Sequence, residues 1–366
     1  MSAQVQSLTP PLQKQQKVRG KTVARKSRRE LVDPADAADM PVTVIDVAKA
    51  AGVSPITVSR AINRPELVSD ATRAHVLEFV RTMGYVPNLL AGSLATSKSK
   101  LVAILLPTIS HSIFATAVQA MMDRLTDAGY QSLLGPTGYS PEKEEALLEA
   151  ILGRRPDGIV LTGTLHTAGS RQRLASAGIP VVEAWDLSET CLDMQVGFSH
   201  EDVGKTVADH FVAKGYRRFS VITVDDPRGI RRCNSLIEQL KSHQIEDVPV
   251  EILPLPATWE VGREGLKRLL LRQDRPELVF CSSDTVAMGV LAQAAASGLR
   301  VPEDIAVLGF GDTTNSRFAH PALSTISVNS SIMGSEVAEA LLRRFSGENA
   351  QTRVDSGFTL IERAST

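Results

Sequence analysis

The sequence predicts a small helical unit near the N-terminus, followed from residue 101 by a larger α/β core with parallel sheets. Residues 43–83 have the apolar spacing and the cap residues of three short helices. Beyond residue 100, apolar runs alternate with helical stretches. Strands that are apolar along most of their length are typical of parallel sheets covered on both faces. The length of 366 residues is sufficient for two or three domains.

The distribution of charge also divides the chain. The formal net charge is −1, but residues 1–100 contain 15 Lys and Arg against 8 Asp and Glu, whereas residues 101–366 contain 25 against 33. A basic module joined to an acidic body indicates a protein that meets nucleic acid through one part. Residues 1–29 hold eight basic groups and no acid. We therefore expect a disordered basic arm at 1–40, which is either a solvated tail or a non-specific attractor of DNA.

The composition argues against several classes of protein. No run approaches the roughly 18 apolar residues of a membrane span, and the basic N-terminus lacks the apolar stretch of a secretory signal. Three distant cysteines without CxxC spacing argue against a disulfide framework or a zinc site: Cys191, Cys233 and Cys281. The common nucleotide-binding and zinc-protease motifs are absent, and no nucleophile–base set is found. We therefore expect a cytoplasmic protein that is not an enzyme and has no metal or cofactor.

The three predicted helices lie within residues 42–84. The first is ended by Gly52 and has four apolar residues on one face, Val44, Val47, Ala48 and Ala51. The second begins with Ser54 as N-cap and Pro55 at the first helical position. Its inward residues are Val58, Ala61 and Ile62. The third is capped by Ser69 and ends at Gly84. A helix, a turn with glycine and a second short helix form a helix-turn-helix unit.

The second helix has the geometry of a recognition helix. Its outward face carries Ile56, Arg60 and Asn63, with Pro55 and Ser59 at the edges. Arg60 can pair with two acceptors of a guanine, and Ile56 can contact a thymine methyl group. Hydroxyl and amide side chains that suit phosphate contacts surround the unit: Thr43, Ser54, Thr57, Ser59, Asn63, Ser69, Thr72 and Asn88. The alternative is a small helical subdomain with ordinary caps.

Residues 85–100 predict a hinge with at most one marginal helix, and the α/β core follows. The predicted strands are 101–107, 131–134, 158–162, 179–183, 219–224, 250–255, 278–281 and 305–310. Helical stretches include 114–128, 141–152, 201–214, 259–271 and 285–296. Roughly 265 residues is large for one open sheet, so two similar α/β lobes are expected. A ligand would lie at the carboxyl ends of strands or between the lobes.

A resemblance to a known family sharpens this interpretation. Residues 43–63, TVIDVAKAAGVSPITVSRAIN, closely resemble the DNA-binding headpiece of the LacI/GalR repressor family. The resemblance continues to about residue 363 through SSDTVAMGVL (282–291), LRVPEDIAVLGFGD (299–312) and HPALSTI (320–326). It implies two periplasmic-binding-protein-like lobes, at 101–198 plus 327–347 and at 199–326 plus the tail. It also implies a homodimer or tetramer, and a hinge helix that folds on operator binding. Leu94 would then wedge into the minor groove beside Ala91 and Ala95, or else be an exposed linker residue.

The resemblance also implies effector contacts. Arg232 aligns with the arginine that holds an effector acid or hydroxyl, Trp259 with a stacking tryptophan, and Asp186 with an acidic contact. The sequence departs from the family at Ser283, at Gly311 before Asp312, and at residues 108–113, which argues against lactose or purine ligands. The residues alone leave other roles open: a surface helix arginine for Arg232, a cap or loop acid for Asp186 and a packing residue for Trp259.

Part of the sequence resembles one subgroup, the gluconate-utilisation repressors. The similar segments include LLPTISHSIFATAV (105–118) and AGIPVVEAWDLSETCLDMQVGF (177–198). Gluconate is a linear polyol with one carboxylate, so its site needs a cation, hydroxyl partners and an apolar wall. Arg232 would supply the cation and Trp259 the wall. The polar candidates are Thr162, Thr164, His166, Asp186, Ser283, Asp312 and His111, the last being either a pocket residue or a loop-surface residue.

These features predict a DNA-binding transcriptional regulator. The expected mechanism is repression of sugar-acid utilisation genes from a palindromic operator, relieved by gluconate, 2-ketogluconate or 6-phosphogluconate bound between the lobes. Activation stays open, because it depends on where the operator lies relative to the promoter. The second hypothesis is a sugar-acid sensor that does not bind DNA, and the intact recognition face and hinge at 43–96 argue against it.

Overall fold

The computed structural model describes residues 41–86, 98–348 and 353–366. The expected basic arm (1–40) and the hinge positions Asn88, Ala91, Leu94 and Ala95 lie outside the described residues. The chain divides into two compact units after residue 96, close to the end of the predicted hinge. Each unit is described by itself.

Residues 41–86, the described part of the first unit, contain three α-helices, α1 (Val44–Ala50), α2 (Pro55–Asn63) and α3 (Asp70–Thr82), with a 3₁₀ turn (Pro65–Leu67) after α2. Each α-helix begins directly after its N-cap residue, which is Thr43 for α1, Ser54 for α2 and Ser69 for α3. The sequence predicts the caps of α2 and α3. Gly52 has φ 64°, a left-handed conformation that glycine adopts without strain, and it forms the turn between α1 and α2. The buried core of the unit consists of Val47, Ala48, Val58, Ala61 and Val76.

The second unit contains two six-stranded sheets. The first sheet is formed by β1 (Leu101–Leu106), β2 (Gln131–Pro136), β3 (Gly158–Thr162), β4 (Val181–Ala184), β5 (Met194–Gly197) and β11 (Arg353–Asp355). Their order is β11-β5-β4-β3-β1-β2, and all pairs are parallel. The second sheet is formed by β6 (Phe219–Val224), β7 (Val250–Leu253), β8 (Leu278–Cys281), β9 (Ala306–Phe310), β10 (Ser324–Ser327) and β12 (Thr359–Ile361). Their order is β12-β10-β9-β8-β6-β7, and only the pair of β10 and β12 is antiparallel.

Helices cover these sheets, and both faces of each sheet are apolar. The helices are α4 (Ser112–Asp127), α5 (Pro141–Leu152), α6 (Ala168–Ala177), α7 (His200–Ala213), α8 (Pro227–Ser242), α9 (Trp259–Leu270), α10 (Asp284–Ala296), α11 (Thr314–Phe318) and α12 (Ser330–Phe345). Successive residues of β1 alternate between two apolar clusters: Val102, Ile104 and Leu106 belong to one, and Ala103 and Leu105 to the other. The predicted parallel sheets are therefore confirmed. Among the described residues, no helix is both long and apolar enough to cross a bilayer.

The chain passes between the two lobes three times: after β5, after β10, and between β11 and β12. Helix α12 packs against α4 of the first lobe. The expected assignment of the whole tail to the second lobe is wrong for Arg353–Asp355, because this strand pairs with β5 in the first sheet. A three-residue strand has too little pattern for the sequence to assign it to a sheet.

Candidate functional site

The outward face of α2 has the exposure that the sequence predicts. Ile56 is 62% exposed, and Arg60 and Asn63 are exposed on the same helix. Pro55 and Ser59, predicted at the edges of this face, are exposed as well. The opposite face, with Val58 and Ala61, is fully buried. An exposed isoleucine beside an exposed arginine on a short helix is suited to contacts with base edges.

The hydroxyl groups around this face also cap helices. Ser54 Oγ accepts a hydrogen bond from Thr57 N at 3.1 Å, and Ser69 Oγ accepts one from Thr72 N at 3.2 Å. In each pair the two hydroxyl oxygens lie 2.8 Å apart, so one hydroxyl proton of each pair can still be donated to a phosphate. Thr43 differs, because its hydroxyl donates to the Asp46 carboxylate at 2.7 Å.

The second unit has a cleft between its lobes, made of two adjoining chambers. The aromatic chamber has a volume of about 560 Å³, including its open mouth. Its walls come from both lobes, and three of its residues lie at the carboxyl ends of strands, where α/β sheets commonly bind ligands: Val224, Ser282 and Phe310. Its other lining residues are His111, Ile113, Phe114, Tyr139, Trp185, Phe198, His200, Asp226, Arg228, Arg232, Ala257 and Ser283.

The hydroxyl chamber adjoins the aromatic chamber and has a volume of about 600 Å³, again including its mouth. The two chambers share Tyr139, Asp226 and Arg228. The polar residues that line the hydroxyl chamber alone are Thr137, Ser140, Glu144, Thr162, Thr164, Asp186 and Arg231. The cleft therefore has an aromatic end and an end rich in hydroxyl groups.

The first two turns of α8 bring three arginines to the cleft. Arg228, Arg231 and Arg232 are spaced at i, i+3 and i+4, which places them on one side of the helix. Arg231 donates to both carboxylate oxygens of Asp186, at 3.2 and 2.6 Å, and so joins the two lobes. Arg228 Nε donates to Asp226 at 3.3 Å. Burial alone would raise the pKa of Asp226, but the charges of Arg228 and Arg232 outweigh it and lower that pKa.

Arg232 is buried at the aromatic end, with 4% of its surface exposed. Its guanidinium lies 3.8 Å from the centroid of the Phe310 ring, and Nη2 donates to the carbonyl of Ser282 at 2.9 Å. Burial lowers the pKa of Arg232 to about 10, so the group stays charged at neutral pH. Burial and the charge of Arg232 hold the pKa of His200 well below its usual value. The neutral His200 therefore accepts at Nδ1 from Arg232 Nη1, 3.0 Å away.

The structure brings most of the predicted effector residues into the cleft. Arg232, Ser283 and His111 line the aromatic chamber, and Thr162, Thr164 and Asp186 line the hydroxyl chamber. Several of them are also bonded within the protein: Thr164 donates to Asp186 at 3.0 Å, and Thr162 donates to the carbonyl of Leu105 at 2.9 Å. Polar lining residues that the sequence analysis missed include Asp226, Arg228, Arg231 and Tyr139. The arginine spacing directly after a predicted strand was the signal that could have identified Arg228 and Arg231.

Three predicted effector contacts lie outside both chambers. Trp259 is the first residue of α9 and is 47% exposed, so the expected apolar wall is formed instead by Phe114, Trp185, Phe198 and Phe310. Asp312 lines a separate hollow near the start of α12 and forms an ion pair with Arg363 at 2.6 Å. His166 is buried behind the hydroxyl chamber, because two acids hold it there.

These two acids give His166 an expected role in stability rather than in ligand contact. Nδ1 lies 2.6 Å from Glu144 and Nε2 lies 3.3 Å from Glu183, and the side chain is fully buried. Burial alone would lower the pKa of His166, but Glu144 and Glu183 raise it to about 9. Since the unfolded pKa is about 6.5, the stability that His166⁺ contributes is complete below about pH 6.5 and is lost as pH rises through about 9.

We expect His166→Gln to remove this pH dependence. The difference in free energy of unfolding between wild type and variant should be largest near pH 6 and fall by roughly 2–3 kcal/mol towards pH 9.5. Urea denaturation followed by circular dichroism at several pH values measures it. His243→Gln is the control, because His243 pairs with Asp209 at the partly exposed surface. A difference that is independent of pH would show that His166 is not charged in the folded protein.

Comparison with known proteins matches both units. The family described as bacterial regulatory proteins, lacI family, matches residues 43–88, and the periplasmic binding protein-like domain matches residues 208–366. The HTH-type transcriptional regulator GntR of Pseudomonas aeruginosa is 36% identical over 88% of this chain and 95% of its own. The chain belongs to the LacI family. It is therefore a DNA-binding transcriptional regulator, as are the GntR relatives of Pseudomonas aeruginosa and Escherichia coli.

Solved structures show the same architecture within the LacI family. A LacI-family regulator from Silicibacter pomeroyi has a TM-score of 0.84 at 32% identity and covers 89% of this chain and 99% of its own. A lac repressor dimer bound to operator and the anti-inducer ONPF has a TM-score of 0.77 at 26% identity, with the same coverage. The transcription regulator GntR from Chromobacterium violaceum matches 72% of this chain with a TM-score of 0.69.

Proposed function

We propose that this LacI-family protein represses genes for the use of gluconate or a related sugar acid, and that the acid releases it from a palindromic operator. The observation that carries the proposal is the composition of the interlobe cleft. A buried, charged Arg232 lies at one end and a set of hydroxyl side chains at the other. This matches a ligand with one carboxylate and several hydroxyl groups. The relatives named GntR, at 33–36% identity, support assignment of the protein to the gluconate-utilisation subgroup.

The proposed DNA contacts follow from the first unit. The exposed face of α2 would read the major groove of each half-site, and hydroxyl groups near the helix caps would bind phosphates. The hinge residues Asn88, Ala91 and Leu94 would contact the backbone and the minor groove. A homodimer in the cytoplasm matches a palindromic site, because both have two-fold symmetry.

Release by the effector would follow from its contacts with both lobes. Thr162, Thr164 and Asp186 belong to the first lobe, whereas Arg232 belongs to the second. A ligand that contacts both favours one relative arrangement of the lobes. Coupling energies of about 1–3 kcal/mol change operator affinity by roughly 5- to 150-fold, which is sufficient for induction.

A mobility-shift titration on a palindromic site upstream of gluconate genes tests the proposal. Gluconate, 2-ketogluconate and 6-phosphogluconate are added separately, and at least one is expected to weaken operator binding. If all three leave the affinity unchanged, the effector class is wrong. A protein that senses sugar acids without binding DNA would show no salt-dependent operator binding, whereas each neutralised phosphate should contribute about −0.9 to the slope of log K against log salt.

Arg60→Ala tests the proposed recognition face. We expect operator affinity to fall by roughly 1–3 kcal/mol, with discrimination lost at one G·C pair, because a bidentate contact to guanine is removed. Competition binding with operators substituted one base pair at a time measures this. The control is Arg81→Ala, because Arg81 lies in the last turn of α3 rather than on α2. An equal loss on every operator sequence would mean that Arg60 contacts phosphate rather than a base.

The two tryptophans allow the location of the effector to be tested. Trp185 is buried in the aromatic chamber, whereas Trp259 is 47% exposed outside both chambers. We expect the effector to change the tryptophan fluorescence of wild type, and to change that of Trp259→Phe in the same way. The change should be lost in Trp185→Phe. If the fluorescence change is instead lost in Trp259→Phe and kept in Trp185→Phe, the effector binds outside the aromatic chamber.

A further inference from the structure

We propose that Asp157 is a positioning residue for operator recognition. Its carboxylate holds the end of the hinge on the first lobe, so that the two hinges of a dimer meet a palindrome at a fixed separation. This inference rests on the proposed homodimer and palindromic operator, and it goes beyond them by naming the group that sets the spacing. It follows from the hydrogen bonds of Ser99 and Lys100, the last two residues of the predicted hinge.

Three hydrogen bonds from the end of the hinge converge on the Asp157 carboxylate. Ser99 donates its backbone N–H and its hydroxyl to Oδ1, at 2.8 and 3.0 Å, and the backbone N–H of Lys100 donates to Oδ2 at 3.0 Å. Asp157 directly precedes β3, and its own N–H donates to the carbonyl of Leu101 at 2.8 Å. One residue thus holds the chain on both sides of the point where β1 begins.

The backbone turns sharply at Lys100. Its φ of 54° lies in the left-handed region, which is unfavourable for a residue with a Cβ. Successive backbone N–H groups beside a left-handed residue can point at one anion, and here those of Ser99 and Lys100 point at the Asp157 carboxylate. Because these bonds offset the unfavourable φ, the carboxylate fixes the direction in which the chain leaves β1 towards the hinge.

Side-chain contacts attach the end of the hinge to two further parts of the first lobe. Lys98 Nζ donates to the carbonyl of Phe345, the last residue of α12, at 3.4 Å. Lys100 Nζ lies 4.1 Å from the centroid of the Tyr130 ring, which stacks on Phe345 with 4.8 Å between the centroids. A cation is favourable at the C-terminal end of a helix and over an aromatic ring. A movement of the first lobe is therefore passed on to the end of the hinge.

The second lobe has an equivalent carboxylate that does not touch the hinge. Glu277, which directly precedes β8, accepts hydrogen bonds at Oε2 from the backbone N–H groups of Arg217 and Arg218, at 2.8 and 3.0 Å. β8 pairs with β6 as β3 pairs with β1, so Glu277 and Asp157 occupy equivalent places in the two lobes. The N–H groups in the second lobe belong to the loop between α7 and β6. Loss of the Glu277 carboxylate should therefore affect only the stability of its lobe, whereas loss of the Asp157 carboxylate should also release the hinge.

Binding to palindromic DNA of varied spacing tests the role of Asp157. The full-length wild type first selects a palindrome from a random DNA pool, and versions with one base pair inserted or deleted at the centre are then made. In mobility-shift titrations, Asp157→Asn is expected to bind the selected palindrome at least about tenfold more weakly than wild type and to prefer its spacing by less than about threefold. Asparagine keeps one acceptor oxygen, but its NH₂ group faces a backbone donor.

Two further variants separate positioning from lobe stability. Glu277→Gln is the matched control and should keep the affinity and the spacing preference within about twofold of wild type. Asp157→Glu should keep the spacing preference, because Glu277 shows that a glutamate carboxylate can accept the equivalent pair of N–H groups. Thermal denaturation checks that each variant is folded. Binding to a random-sequence duplex should change by less than about twofold, since it depends on phosphate contacts rather than on spacing.

The outcomes distinguish the inference from the proposed function. If folded Asp157→Asn keeps the spacing preference of wild type, or loses affinity equally for random-sequence DNA, the positioning role is wrong and Asp157 only stabilises its lobe. If wild type itself shows no preference for spacing, the proposed palindromic operator fails and this inference fails with it. If Asp157→Asn does not fold, Ser99→Ala is measured in the same way, because it removes one of the three hydrogen bonds and keeps the carboxylate. Its spacing preference should fall by roughly threefold, and an unchanged preference would overturn the inference.

Discussion

Arg232→Gln is expected to weaken effector binding by roughly 10- to 150-fold, while operator binding without effector stays within about twofold of wild type. The estimate corresponds to the loss of a charge-assisted hydrogen bond to a ligand carboxylate, about 1.5–3 kcal/mol. Glutamine still offers an amide donor but carries no charge. The effector affinity of Arg232→Lys should lie between those of wild type and Arg232→Gln. Lysine keeps the positive charge but loses the planar stacking on Phe310 and the two-pronged set of donors.

Calorimetry and mobility-shift titrations measure the two affinities, and thermal denaturation shows whether each variant is folded. Arg300→Gln is the control, since Arg300 is an exposed arginine paired with Asp304 in its own loop. If Arg232→Gln keeps the affinity of wild type for the acid, the carboxylate is bound elsewhere in the cleft. A loss of operator binding without effector would instead show that Arg232 supports the fold of the second unit.

The Asp186–Arg231 pair connects the proposed effector site to the lobe arrangement. Asp186 follows β4 in the first lobe, and Arg231 lies on α8 in the second, so this ion pair spans the cleft. A ligand that bonds to either residue competes with the pair or reinforces it. If the proposed acid binds here, the relative position of the lobes depends on the chemistry of that acid, and this would supply the differential contact that coupling to the operator requires.

The first unit could be predicted closely from the sequence because its signals are local. The N-caps at Ser54 and Ser69, the turn at Gly52 and the buried stripe of α2 each depend on residues within about one helical turn. Exposure of the Arg60 face then follows from burial of the opposite face. The parallel sheets were predictable for a similar reason, since several of their strands, such as β1, β8 and β9, are apolar along most of their length.

The interlobe cleft was less predictable because it depends on which distant elements meet. Trp259 is aromatic and begins a helix as expected, but nothing local specifies that this end of α9 points away from the cleft. His166 follows β3, yet its partners Glu144 and Glu183 come from α5 and β4. The strands β5, β10, β11 and β12 were missed as well, because each has only three or four residues and mixes polar with apolar ones. The equally short β8 was predicted, since all four of its residues are apolar.

Asp284→Ala is expected to lower the free energy of unfolding of the second unit by roughly 3–5 kcal/mol. The carboxylate is 1% exposed and accepts three hydrogen bonds, from Ser316 Oγ at 2.5 Å, Thr325 Oγ1 at 2.6 Å and Thr313 N at 2.7 Å. It thereby joins α10 to α11 and β10. Alanine leaves two hydroxyl groups and one backbone N–H buried without this acceptor, and each such group costs about 1–3 kcal/mol.

Urea denaturation measures the loss, with Asp304→Ala as the matched control. Asp304 is an exposed acid in an i,i+4 pair with Arg300, and pairs of that kind contribute less than about 1 kcal/mol. The free energy of unfolding of Asp284→Asn should lie between those of Asp284→Ala and Asp304→Ala. The amide oxygen of asparagine still accepts a hydrogen bond, whereas its NH₂ group faces other donors. The adjacent Ser283 lines the aromatic chamber, so Asp284→Ala should also weaken effector binding. A stability loss below about 1 kcal/mol would mean that water replaces the carboxylate, and the end of the cleft near α10 would then be less rigid than its hydrogen bonds indicate.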